Sequence, residues 1–296
     1  NYISDPDAES IDYDYDFEDE CFEVRIAPVA VDLKDNDFIE RYINEKFGIH
    51  AGFIKKWLAV YCYSNYKKLP NLILTGERGA GKNTFADFVC GIFKPISGYS
   101  KDITARFNEF AENKLIVIDE SDDNGKPQYT LLKRLTGQNR ITVERKYRDT
   151  YEVKNNLNII ILSNSKLPIH VDSYEKPTDE KQNQFFVYEL PKSHIEIKQD
   201  FSNELLRRFG HYMRTVLRPI FNSLDIDNYR YSIEVPITEE EKNLFNISKT
   251  ELEGEAESVI RKLMDEYDNP SFEYKLFLQN GYIPADRFSA TDKSKS

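Results

Sequence analysis

Cysteine is scarce. Cys21, Cys62 and Cys90 are the only three in 296 residues, and they form no CxxC or zinc-ligand pattern. An odd, widely spaced set suits a reducing cytosol better than a disulfide framework. Long apolar runs are missing too. Leu115–Ile118 and Ile159–Leu162 are of strand length, far short of the roughly 20 residues of a membrane span. No signal-peptide pattern is present, and the first residue is Asn1, which reads as a fragment or a processed chain. With 40% hydrophobic and 31% charged residues, the composition also excludes collagen, mucin-like stalks and a wholly disordered chain. Lysine and arginine are absent from residues 1–24, which hold ten acids. Removing that block from the net charge of −11 leaves −1 for the other 272 residues. The body is therefore nearly neutral, and the charge balance does not exclude a nucleic-acid partner. The acidic leader over 1–35 is expected to be solvated and flexible, with docking or DNA mimicry as the sharper reading of its acids and tyrosines.

Beyond the leader the patterns are those of a folded α/β chain. Phe38, Tyr42, Ile43 and Phe47, then Phe53, Ile54, Trp57, Leu58 and Tyr61, recur at helical steps, giving a small helical region over 36–68. From about 70, short buried-strand runs alternate with helices and glycine loops. Strands are expected at Leu72–Thr75, Lys114–Ile118, Leu157–Leu162 and Gln184–Leu190. Helices are expected at Thr84–Phe93, near Tyr129–Leu135 and at Asn203–Arg218, with a hairpin at Ile141–Tyr151. The core is assigned to 69–222. A C-terminal, mostly helical region with a disordered tail is assigned to 223–296.

Leu72–Thr75 runs into Gly76-Glu77-Arg78-Gly79-Ala80-Gly81-Lys82-Asn83-Thr84, with a helix following. This is GxxxxGK in its strand–loop–helix setting. Glycines let main-chain N–H groups wrap an anion, the helix N-terminus adds positive potential, and Lys82 would reach the β- and γ-phosphates. The residue after the lysine, normally Ser or Thr on Mg²⁺, is Asn83. Either its amide oxygen or the Thr84 hydroxyl would meet the metal. Lys114-Leu-Ile-Val-Ile-Asp119-Glu120 is an apolar strand ending in two acids. Asp119 would hold Mg²⁺ and Glu120 would deprotonate the attacking water. Leu157–Leu162 ends in Ser163-Asn164, where an amide can sense a γ-phosphate.

In Gly81-Lys82-Asn83-Thr84-Phe85, in Phe107-Asn108 and Asn113-Lys114 leading to Ile118-Asp119-Glu120, in the Glu144-Arg145-Lys146-Tyr147-Arg148-Asp149 hairpin and in Asn156-Leu157-Asn158 with Ser163-Asn164, the chain resembles superfamily 3 helicases. These are AAA+-related motors, and the phage and plasmid branch, in which the motor follows a primase–polymerase, is the nearest. The resemblance spans roughly 36–220. It implies an AAA+-type P-loop NTPase with a central parallel sheet flanked by helices. It further implies ATP and Mg²⁺ as cofactors, a hexameric ring translocating on single-stranded and forked DNA, and a location in the cytoplasm, the host's if the protein is viral. A primase–polymerase domain in the same or a partner chain, and no membrane, complete that picture. In this family the hairpin points into the pore, which makes Arg145, Lys146, Tyr147 and Arg148 the DNA-binding candidates. A neighbour's arginine normally completes each ATP site, yet no arginine occurs between Arg148 and Arg207. Arg207 and Arg208 are the candidates. That gap keeps open an alternative, a nucleotide- and DNA-binding ring with weak ATPase that serves as scaffold or loader. An RNA-virus motor fits the motifs less well, and a metabolic kinase lacks its lid arginines.

Overall fold

The computed structural model describes residues 2–18, 21–28, 33–100, 103, 108–119, 127–171, 184–192, 200–227 and 232–244. Three short strands come first: β1 (Tyr2–Ser4), β2 (Asp12–Asp16) and β3 (Cys21–Ile26). Helices α1 (Asn36–Phe47) and α2 (Ala51–Tyr63) follow, then β4 (Asn71–Thr75), α3 (Lys82–Ile92), β5 (Ser97–Tyr99) and β6 (Leu115–Asp119). After α4 (Tyr129–Gly137) come β7 (Arg140–Val143), β8 (Tyr151–Lys154), β9 (Asn158–Leu162) and β10 (Phe185–Glu189). Helix α5 (Phe201–Tyr212) continues through a π-turn at Met213–Leu217 into α6 (Arg218–Ser223).

The centre is a five-stranded sheet in the order β10-β4-β9-β6-β5, every pairing parallel. Its strands are continuous apolar runs because both faces are covered. Alternate side chains sort onto the two faces. Leu72, Leu74, Leu115, Val117, Ile160, Leu162 and Phe186 join the cluster under α1, α2, α3 and α5. Ile73, Ile116, Ile118, Ile159, Ile161, Phe185 and Val187 pack with Tyr129, Leu132 and Leu135 of α4. The expected parallel sheet flanked by helices is the one observed.

Two expected helices differ in extent. The helical region expected over 36–68 is broken at Gly48, whose φ of 48° ends α1. The helix expected to stop at Arg218 runs on to Ser223. Pro219 has no N–H to donate back, and the preceding turn opens to π.

The leader is a correction. Instead of a flexible acidic segment, the described residues 2–18 and 21–26 carry a three-stranded sheet, with β1 parallel and β2 antiparallel to the central β3. Strict alternation puts Asp12, Asp14 and Asp16 on one face of β2 and Tyr13 and Tyr15 on the other. The acids meet cations: Arg25 of the adjoining β3 is 3.1 Å from Asp14, and from the body Lys154 is 3.3 Å from Asp16 and Arg218 2.6 Å from Asp7. On the aromatic face Tyr15 packs edge-on against Phe17 and Phe22. Local charge pairing and ring contacts thus offset the repulsion that a count of acids implies.

The anchor of this sheet is Lys114, 1% exposed. Its ammonium donates to Ser4 Oγ (2.5 Å), the Ser64 carbonyl (2.7 Å) and Asn65 Oδ1 (3.1 Å), between the rings of Tyr61 and Phe93. Burial lowers its pKa to about 7, with Cys62 opposing. Unfolding returns it to the ordinary lysine range, so between those values the unfolded chain binds more protons and stability rises with pH. The stability contribution is present above the unfolded pKa and lost as pH falls toward 7. Lys114→Met should flatten this rise relative to wild type, read as urea midpoints at pH 7 and 9.5. An equal slope in both proteins would mean that Lys114 does not titrate in this window.

Candidate nucleotide-binding site

The parallel register brings three strand ends level. Leu74 of β4, Leu162 of β9 and Asp119 of β6 lie in one row. The carboxyl ends of these three strands therefore lie along one side of the sheet, where ligands of open parallel sheets bind. Residues 78–84, Asp119, Ser163 and Asn164 line a cavity of about 590 Å³ there.

Gly76, Gly79 and Gly81 all take the positive φ that favours glycine, and the first and last show why. Gly76 has φ of 131°, and a Cβ there would come within 2.8 Å of the Leu190 carbonyl. Gly81, at φ 88°, caps α3 and accepts the Phe85 N–H at 3.1 Å. Lys82 opens α3 and is 6% exposed. Its ammonium donates to the Gly76 carbonyl (2.5 Å), the Glu77 carbonyl (3.1 Å) and Asn164 Oδ1 (2.8 Å). Burial lowers its pKa, and the Asp119 carboxylate opposes the shift. Asn83 donates its amide to Asp119 Oδ2 at 3.1 Å. Lys82 and Asn83 of the loop, Asp119 and Asn164, expected from three motifs, thus meet at one cavity, with Thr84 in the same lining. Glu120 lies outside the described residues.

Among the described residues no group of three His, Cys, Asp or Glu side chains forms a metal cage. One carboxylate, one amide and one hydroxyl suit a Mg²⁺ ion that takes its remaining ligands from phosphate oxygens and water. Arg78 lines the cavity, while Glu77 points outward to an ion pair with Lys192. Arg207 and Arg208 lie on α5, outside the lining. Arg208 is held by Asp35 and Glu204, with Phe38 beneath its guanidinium. Arg207 is exposed and 3.3 Å from Glu204.

The hairpin is formed by β7 and β8, with register Arg140↔Lys154 to Val143↔Tyr151, a few residues longer than expected. Asn108 straps it: Nδ2 donates to the Thr142 carbonyl and Oδ1 accepts the Glu144 N–H, both at 2.8 Å. Arg145 is ion-paired with Glu112, whose other oxygen accepts the Tyr151 hydroxyl at 2.6 Å. Lys146, Tyr147 and Arg148 form the exposed tip. Tyr147 is 92% exposed with φ of 62°, and the Lys146 ammonium is 5.1 Å from its ring. Of the four expected DNA contacts, the structure ties Arg145 into the base and leaves three at the tip. Arg145→Ala and Glu112→Ala should each destabilise the fold, with a coupling of about 1 kcal/mol in the double-mutant cycle. Additive effects would remove the brace.

The family of unknown function DUF5906 matches residues 74–181, a span that contains the loop, Asp119, the hairpin and Asn164. A DNA primase-polymerase of Nitratiruptor phage NrS-1 is 31% identical over 137 residues, covering 42% of this chain. The chain spans 18% of the length of that relative. Two apo structures of the NrS-1 C-terminal region superpose with a TM-score of 0.59 at 18% identity. They cover 95% and 99% of this chain and 71% and 70% of theirs. The shared fold is therefore that of a region of a phage replication protein.

Sequence reasoning missed Lys46, Glu112 and Lys192. Lys46 alone carried a signal. Ile39, Tyr42, Ile43, Lys46 and Phe47 are the buried positions of α1, so a lysine occupies the apolar stripe.

Proposed function

We propose that this chain is the ATPase motor of a DNA helicase of the AAA+-related superfamily 3 type, working as a hexameric ring on single-stranded and forked DNA. The observation that carries the reading is the convergence of Lys82, Asn83, Asp119 and Asn164 on one cavity at the carboxyl edge of a parallel sheet. The strand order supports it, because β9 with its terminal amide lies between the loop strand β4 and the acid strand β6. Lys82 and the loop N–H groups would hold the β- and γ-phosphates. Asn83 or Thr84, with Asp119, would hold Mg²⁺, which when bound neutralises charge on the phosphate oxygens. Glu120 would take the proton of the attacking water, and Asn164 would orient that water against the γ-phosphate. Lys146, Tyr147 and Arg148 would meet the strand, and a primase–polymerase domain would supply the neighbouring activity.

One observation favours a second reading, a DNA-binding ring with weak ATPase. No arginine lies between Arg148 and Arg207, and Arg208 is engaged within its own chain. A trans-acting arginine is worth on the order of 10³–10⁵ in rate, so unless Arg207 or another cation of the neighbour fills that place, turnover is slow. The test is ATP turnover with and without single-stranded DNA, with particle mass measured in parallel. Glu120→Gln should keep ATP binding and lose turnover. Wild-type turnover in that variant would remove Glu120 as the base, and a wild type without DNA-stimulated turnover would leave the scaffold reading.

A further inference from the structure

Lys46 is an anomaly on the apolar face of α1, 1% exposed and far from any motif in the chain. Its ammonium donates to the Ala80 carbonyl at 2.7 Å and the Pro191 carbonyl at 3.4 Å. Burial pushes its pKa below the usual lysine range, and Glu45 beside it opposes the shift. A cation on this apolar stripe carries a desolvation cost, which is offset by two main-chain carbonyls, one of the loop and one of the segment leaving β10.

The charge of Lys46 touches the phosphate loop. Ala80 stands between Gly79 and Gly81, and all three line the cavity, whereas Lys46 does not. In a trans peptide the C=O of one residue and the N–H of the next point opposite ways, and no peptide bond described is cis. Holding the Ala80 carbonyl toward α1 therefore turns the Gly81 N–H to the opposite face of the loop. The bond to Pro191 ties the same ammonium to the segment leaving β10, whose Leu190 N–H bonds the Thr75 carbonyl at 2.9 Å.

We infer that Lys46 is a positioning residue for the triphosphate, fixing the Ala80–Gly81 peptide from beneath the loop and placing a second positive charge behind it. The inference rests on the nucleotide reading of the cavity.

The experiment compares wild type, Lys46→Met, Lys46→Gln, Lys46→Arg and Lys82→Ala as full chains. It reads melting temperature with and without MgATP, and affinity for a fluorescent ATP analogue. Without nucleotide, Lys46→Gln, whose amide can still donate, should melt near the wild-type temperature, and Lys46→Met, which leaves the buried Ala80 carbonyl without its donor, should melt modestly lower. They should bind ATP at least about tenfold more weakly, the scale of a missing charge-assisted hydrogen bond, and lose most of the ATP-induced rise. Lys46→Arg should recover part of both. ATP affinity within twofold of wild type in Lys46→Met overturns the inference. So does a Lys46→Gln protein that melts well below wild type without nucleotide, which would make the role structural. If wild type and Lys82→Ala bind ATP equally, or neither binds it, the nucleotide reading itself falls and this inference falls with it.

Discussion

Lys82→Ala should abolish ATP turnover and most nucleotide binding while leaving the fold intact. Lys82 is the buried cation that the loop carries to the cavity wall, where the loop also places Arg78. Its ammonium is held by the Gly76 and Glu77 carbonyls and by Asn164. Burial already lowers its pKa, and a phosphate arriving at the cavity would restore a counter-charge. Alanine removes that attraction and leaves two carbonyls and one amide at the wall of an open cavity, where water can reach them, so the stability cost is small. The catalytic cost is large: loss of a single preorganised donor to developing charge is worth about 10²–10³ in turnover, and here the donor is also the principal binding contact. The measurement pairs ATP turnover with the ATP-induced shift in melting temperature. Turnover at the wild-type rate would refute the phosphate-loop assignment, and a collapsed melting temperature without nucleotide would make Lys82 a structural residue.

The parallel sheet was legible because its strands are apolar on both faces. Leu115–Ile118 and Ile159–Leu162 cannot be half-exposed edges, and β6 and β9 are neighbours in the interior of the sheet. The site was legible for a related reason: each motif sits at a strand's carboxyl end, and parallel register levels those ends whatever the loops between them do. The N-terminal sheet was misread because charge was weighed over pattern. Asp12-Tyr13-Asp14-Tyr15-Asp16 alternates with the period of a strand, but cations supplied from far along the chain, such as Lys154 and Arg218, are invisible to a local count. Glu112 was equally out of reach. It braces Arg145 across 33 residues, a pairing that only the folded hairpin brings about.

The hairpin tip carries the other large effect. Asn108 and Glu112 hold its base, so the exposed residues Lys146, Tyr147 and Arg148 are presented on a braced support. Lys146→Ala removes a charge from that tip and touches nothing in the nucleotide cavity, whose lining is drawn from other segments. DNA-free turnover should therefore persist, while DNA stimulation and fork unwinding fall sharply. The effect should be nearly independent of sequence, since a phosphate contact reads no bases. The salt slope of single-strand binding should drop by about 1 for each phosphate no longer neutralised. A lysine that only decorates the surface predicts something else: a stability change within about 0.5 kcal/mol and full unwinding. Arg145→Ala supplies the contrast. It loosens the support beneath the tip, so it should lower stability and DNA stimulation together, whereas Lys146→Ala lowers stimulation alone. Full unwinding by Lys146→Ala would remove the hairpin from the DNA path and leave the ATPase reading standing.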